Sequence, residues 1–279
     1  MLNKYIMSKS DLLDSLKKQF DVDKFTIKEQ SKNTFYVSSI ENSEFCAAIT
    51  INYDAQQIEI DSLDKCSISG GEILKKIEKF AKSIGINKLT IGDASELNLG
   101  CIKLDLAIFY ILHSNYSWYN SKGYVSPIFK FEQKSNKKIL KIPIDNFLEQ
   151  CFYQINDKDH ELADDIDKLI NGIQYFWNSN KKITTIKFFN IAKESMRKEK
   201  NICDPSNIDK YKWLKYAVDI VSRSGAITYD NNLSKLLINS PTSPTSLGIT
   251  KRRDQQSHGK MSKSSSSISV GGKKTKKTK

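Results

Sequence analysis

The sequence lacks the features that mark a membrane span or an exported protein. Its 279 residues contain no run of about 18 apolar residues, the length that a transmembrane helix requires. Residues 1–20 have the pattern of an amphipathic, polar helix and not the continuous apolar block of a secretory signal. We therefore expect no membrane partner, and a cytoplasmic rather than a secreted protein.

Patterns that bind metals or form disulfides are also missing. No two of the five cysteines have CxxC spacing, so neither a zinc site nor a disulfide framework is predicted, and we expect free thiols in a reducing compartment. The three histidines are equally scattered, so no metal is expected. The cysteines are Cys46, Cys66, Cys101, Cys151 and Cys203, and the histidines are His113, His160 and His258.

Positive charge is abundant but concentrated in one segment. From Pro241 onward the chain has ten Lys or Arg and one acid, Asp254, so this tail holds +9 of the formal net charge of +12. Residues 241–279 are rich in Ser and Lys with almost no apolar content, and we expect them to be disordered. The tail could attract nucleic acid or an acidic protein weakly, or simply solubilise the chain, since no aromatics interleave with its lysines for base stacking.

Hydrophobic periodicity predicts a mixed α/β (α+β) domain. Residues 25–64 read as four strands, with a hairpin turn at 52–56. A helix follows at 71–85, then a buried strand, then a second helix that Asp93 or Ser95 could cap. Residues 124–133 and 137–144 read as two further strands. A strand–helix–strand unit implies a parallel pair inside an otherwise mostly antiparallel sheet.

The rest of the chain before the tail reads as helical. No convincing strand cluster occurs from Asp145 to about Asn239. We therefore predict three parts, a mixed domain at 1–144, a helical extension at 145–240 and the tail at 241–279.

Two segments could carry chemistry. The first, residues 66–71 (CSISGG), joins a strand to a helix, where backbone N–H groups and the helix end favour an anion such as a pyrophosphate, although glycines there can also serve sterics alone. The second, residues 117–124 (SWYNSKGY), ends the second helix, where its aromatics can bind or simply pack.

Together these segments resemble the GNAT acyltransferase superfamily. That family has a Gln/Arg-x-x-Gly-x-Gly/Ala loop for the pyrophosphate of CoA and a Tyr-x-x-x-Gly-Phe/Tyr signature. Tyr119, Gly123 and Tyr124 match the second motif, whereas only Gly71 matches in the loop, with Cys66 and Ser69 replacing family residues. The resemblance covers residues 25–144, and composition also resembles GNAT-like proteins of large DNA viruses, which would place the protein in a host cytoplasm.

The resemblance implies a GNAT-like sheet with helices on both faces and transfer of an acetyl group from acetyl-CoA to an amine acceptor. It implies that Tyr119 is the general acid and that splayed strands hold the pantetheine arm. The residues that it implies for acetyl-CoA binding are Leu63, Ser67, Ile68, Ser69, Gly70 and Gly71.

A general base is the missing part of this pattern. Glu59 and Asp61 lie on the strand that often supplies a carboxylate, and alternate strand residues share a face. Both could equally be surface acids, and some family members use water chains. His113 fits a packing role better, and Asp93 a helix cap. The alternatives to an active N-acyltransferase are an inactive GNAT-like binding or structural protein, and a nucleic-acid-associated protein that acts through its tail.

Overall fold

A six-stranded, mostly antiparallel sheet forms the centre of the computed structural model, which describes residues 8–156, 183–199 and 201–237. The strand order is β1-β2-β3-β4-β5-β8, and only β4 and β5 are parallel. This confirms the α+β class and the predicted parallel pair. The strands are β1 Phe25–Ser31, β2 Thr34–Ser39, β3 Phe45–Asn52, β4 Gln57–Leu63, β5 Lys88–Gly92 and β8 Asn232–Leu236.

Helices α1 (Lys9–Gln19) and α2 (Gly70–Ser83) pack on one face of this sheet. Helix α2 buries Ile73, Leu74, Ile77, Phe80 and Ala81, the helical spacing that the sequence indicates. Its first turn is fixed by a capping box in which the Ser69 and Glu72 side chains each accept from the other residue's backbone N–H. Gly85, with φ of +74°, ends the helix as predicted.

The region after β5 differs from the prediction. A short hairpin, β6 (Glu96–Asn98) and β7 (Lys103–Asp105), precedes helix α3 (Leu106–Ser114). The cap of α3 is Asp105, whose side chain accepts a hydrogen bond from the Ile108 N–H, so the expected caps at Asp93 and Ser95 were wrong.

The two strands predicted at 124–133 and 137–144 are also wrong, because helices α4 (Phe129–Ile139) and α5 (Ile144–Asn156) cover most of these residues. The buried side chains of α4 are Glu132 and Asn136, one helical turn apart. Asn136 accepts from the Thr228 N–H at 2.9 Å and donates to the Thr228 carbonyl at 2.8 Å. These polar contacts with a distant segment set the helix, and the local apolar pattern does not reveal them.

Strand β8 comes from the region predicted to be helical. It pairs antiparallel with β5, from Lys88↔Leu236 to Gly92↔Asn232. A bridge between Val125 and Ser234 attaches the chain that follows Tyr124 to β8. The sheet is therefore not completed within residues 1–144, and the chain divides instead after Ile238. The tail predicted at 241–279 lies outside the described residues.

A second core forms among the remaining helices. These are α3, α4, α5, α6 (Thr185–Lys198) and α7 (Pro205–Ser224). Phe188, Phe189, Trp213 and Leu214 are almost fully buried there. The expected helical character of this part of the chain is thus present in 185–198 and 205–224.

Four of the five cysteines form disulfides, which corrects the expectation of free thiols. Cys46 pairs with Cys66 and Cys101 with Cys203, with Cα–Cα separations of 5.3 and 5.6 Å. Cys151 is free and buried. Spacing along the sequence could not show these pairs, because Cys101 and Cys203 are 102 residues apart and meet only through packing.

Candidate functional site

Strands β4 and β5 separate at their C-terminal ends. Their ladder runs from Gln57↔Lys88 to Ile60↔Ile91, after which β4 continues to Leu63 beside β3 only. Asp61 is a bulge at this point, since Ile49 faces Ile60 while Ala48 faces Ser62. A bulge adds one residue and bends the strand, so it accounts for the divergence.

A cavity of about 1120 Å³ occupies the resulting gap. Its walls include the end of β4 with the residues that follow, the end of β5, hairpin residues 96–98, and Gly70 at the start of α2. Trp118 and Tyr119 complete it. Two segments that are far apart in sequence, the α2 start and the Trp118–Tyr119 pair, therefore meet at one cavity.

The start of α2 presents backbone donors to this region. The N–H groups of Gly70 and Gly71 donate to no other described residue, as is usual for a first helical turn. A Cβ on Gly70 would lie 3.4 Å from Cη2 of Trp118, so a side chain would crowd the approach. A Cβ on Gly71 would lie 4.0 Å from the Lys122 ammonium, which places a cation beside the same turn.

Glu72 opposes this positive potential. Its carboxylate accepts from the Ser69 hydroxyl at 2.7 Å and from the Ser69 N–H at 3.0 Å, and these bonds hold its pKa below the ordinary value of 4.5. The Ser69 N–H is thereby occupied. The helix start is a mixed environment, with Lys122, two amides and the helix dipole on one side and one carboxylate on the other.

Tyr119 is 4% exposed and lines the cavity, yet its hydroxyl forms no hydrogen bond with another described residue. Burial, and then the carboxylates of Asp93 and Asp64, raise its pKa, so the phenol stays protonated. A tight turn holds it, because Tyr124 N–H donates to the Tyr119 carbonyl and Gly123 adopts φ of +89°. The Tyr-x-x-x-Gly-Tyr pattern is therefore a turn that aims Tyr119 at the cavity and buries Tyr124 beside it.

Asp93 is a buried carboxylate that the sequence analysis assigned to the wrong role. It follows β5, is 5% exposed and accepts from the Ser95 hydroxyl at 2.5 Å and from the Tyr229 hydroxyl. Its charge adds to burial in raising the pKa of Tyr229. Only its position after a buried strand hinted at this, since Tyr229 is 136 residues away.

The other predicted residues divide into two groups. Asp61, Leu63 and Gly70 line the cavity, and Asp61 accepts from the Thr50 hydroxyl at 2.7 Å. Glu59 is exposed and is not part of the lining. The predicted anion-binding residues that also lie outside the lining are Ser67, Ile68, Ser69 and Gly71.

His113 has the packing role that its surroundings indicated. It is 3% exposed and lies between the rings of Phe109 and Tyr110, at centroid distances of 5.1 and 4.8 Å. Burial, with Lys193 nearby, lowers its pKa to about 4, so the ring is neutral near pH 7. It is not among the cavity residues.

Within the described ranges, no helix is both long and apolar enough to cross a bilayer. The same ranges contain no group of three or more His, Cys, Asp or Glu side chains arranged to hold a metal ion. Comparisons with protein-family models, with curated proteins and with solved structures found no significant match.

Proposed function

We propose that this protein is a GNAT-type N-acyltransferase that moves an acetyl group from acetyl-CoA to an amine. The observation that carries the proposal is the separation of β4 and β5 beyond Ile60 and Ile91, which opens a cavity shared by Gly70 and Tyr119. Acyl transfer needs an elongated slot for the thioester arm, donors for its phosphates and an acid near the sulfur, and all three have a counterpart here.

The β4 edge supplies main-chain partners for the arm. From Asp61 to Leu63 the side of β4 that faces away from β3 has no neighbouring strand. Unpaired strand edges bind extended ligands through backbone hydrogen bonds. The amides of Gly70 and Gly71, with Lys122 beside them, suit the phosphates.

Tyr119 and Asp61 divide the proton transfers. In the reaction the amine nitrogen bonds to the acyl carbon, the carbon–sulfur bond breaks, and CoA leaves as the thiol. The protonated phenol of Tyr119 donates to the departing sulfur. Asp61, which lines the cavity, accepts the proton that the nitrogen loses, directly or through water. Glu59 is the weaker candidate for this role because it lies outside the lining.

An inactive acyl-CoA-binding or structural protein is the second candidate, and Glu72 is the observation that favours it. Its carboxylate occupies the Ser69 N–H and places negative charge where phosphates would bind. A third possibility, nucleic-acid binding through the tail, rests on residues outside those described.

Calorimetry with acetyl-CoA tests the proposal. We expect the full chain to bind acetyl-CoA and the Gly71→Glu variant to lose binding, because it adds a carboxylate at the helix start. Ser10→Glu is the matched control, since it adds the same charge in the first turn of α1. Equal binding by the wild type and Gly71→Glu would refute the phosphate site, and no binding at millimolar concentration would refute the proposal.

A thiol-release assay with an amine panel then separates the two candidates. The enzyme is expected to release CoA thiol only when acetyl-CoA and an amine are both present. Binding without release for every amine would favour the inactive candidate.

A further inference from the structure

Negative charge dominates the lining of the cavity between β4 and β5. Four carboxylates contribute, and Lys65 is the only basic side chain among the described residues that line it. The carboxylates are those of Glu44, Asp61, Asp64 and Glu96.

Two of these carboxylates have no cation of their own. Glu96 pairs with Lys103 at 3.5 Å. Among the described residues, neither Glu44 nor Asp64 forms an ion pair, and Lys65 pairs with neither. A cavity with unneutralised carboxylates attracts a positively charged ligand.

Tyr119 independently indicates that a ligand belongs here. Its side chain is nine-tenths buried or more, lines the same cavity and has a hydroxyl without a partner, an arrangement that is rare for a buried polar group. The Asp64 carboxylate is near enough to raise the pKa of this phenol. The acidic wall and the unpartnered hydroxyl are therefore parts of one site.

The fold holds Glu44 and Asp64 in place. Each lies two residues before a cysteine of the Cys46–Cys66 disulfide. The Asp64 N–H also donates to the Cys46 carbonyl at 2.9 Å. The two acids thus sit on segments that are cross-linked to each other, which favours a defined binding position over a mobile charged surface.

We infer that the acceptor is a small aliphatic polyamine, with one nitrogen reacting and a second, cationic nitrogen bound at Glu44 and Asp64. This inference rests on the proposed function. The reacting nitrogen must be neutral when it attacks, so it gains little from the carboxylates in the transition state. An attraction that persists through the reaction needs a second positive charge. A cavity of this volume suits a small molecule.

Calorimetry with spermidine, without acetyl-CoA, tests this inference on the full chain. We expect spermidine to bind, and its Kd to rise about fivefold in Glu44→Gln and again in Asp64→Asn, with both effects weakening at high salt. Glu41→Gln is the matched control, because Glu41 is exposed in the turn before β3 and is not part of the lining. Butylamine, with one nitrogen, should bind much more weakly.

Several outcomes would overturn the inference. Spermidine binding that is unchanged in Glu44→Gln and Asp64→Asn, or no tighter than butylamine binding, would show that the second charge contributes nothing. A lysine-rich peptide that binds more tightly than spermidine, with the same two variants weakening it, would replace the small polyamine with a protein acceptor.

The acetyl-CoA titration separates this inference from the proposed function. Acetyl-CoA binding without spermidine binding would overturn the polyamine and leave the acyltransferase standing. Spermidine binding with the expected dependence on Glu44 and Asp64, but no acetyl-CoA binding, would leave a cationic site and overturn the transfer reaction.

Discussion

Replacing Tyr119 with Phe separates a catalytic hydroxyl from a structural one. The hydroxyl of Tyr119 has no hydrogen-bond partner among the described residues, and the side chain is 4% exposed. Removing it breaks no hydrogen bond and relieves an unpaired buried polar group. We therefore expect Tyr119→Phe to leave the free energy of unfolding unchanged or to raise it by up to about 1 kcal/mol.

Activity should respond in the opposite way. If the phenol protonates the departing thiolate, its loss should slow thiol release by about 10²- to 10⁴-fold. Acetyl-CoA binding should be nearly unchanged, because the amides at the start of α2 remain.

Tyr229→Phe is the matched control, since it removes the same atom from a buried tyrosine. The Tyr229 hydroxyl donates to Asp93, so its loss leaves a buried carboxylate short of a donor. We expect this variant to lose about 1–3 kcal/mol in urea unfolding. Thiol release by Tyr119→Phe at the wild-type rate would refute the acid role, and a large stability loss would refute the unpartnered hydroxyl.

Three further predictions follow from the same contacts. Glu72→Gln keeps a capping side chain but removes the negative charge, so calorimetry should show tighter acetyl-CoA binding; since the carboxyl pKa is lowered, the extra stability from the carboxylate should be present above pH 4.5 and vanish as the pH falls through the folded pKa. His113 has a pKa of about 4 when folded and an ordinary value of 6.5, so stability should fall by on the order of 3 kcal/mol between pH 6.5 and 4, and urea titrations of His113→Phe should lack that loss. Alkylation of the unfolded, unreduced protein should label Cys151 alone, and breaking Cys46–Cys66 with Cys66→Ser should cost about 3 kcal/mol, whereas labelling of all five cysteines would contradict both disulfides.

Local patterns were sufficient for the first half of the sheet. Alternation in β1 to β4 and the 3.6-residue spacing of α2 reflect one buried face, and each is readable within its own segment. The loop before α2 and the turn at Tyr119 were also readable, because glycines at a helix start and at φ of +89° have specific backbone roles.

Long-range contacts account for what local patterns missed. Strand β8 has only five residues, and its pairing with β5 depends on 139 residues folding between them. The roles of Asp93, Glu132 and Asn136 depend on partners near residue 229, which periodicity does not reveal. The acidic wall is likewise assembled from separate loops, so no motif marks it.

Hydrogen exchange with and without acetyl-CoA tests the central claim most directly, which is that the gap between β4 and β5 binds an acyl-CoA. The account predicts slower exchange for backbone amides at 61–63 and 70–71, which line or open onto that gap, and no change in β1 or β2. Protection that is absent from both segments at a saturating concentration, or that is confined to another part of the chain, would contradict it.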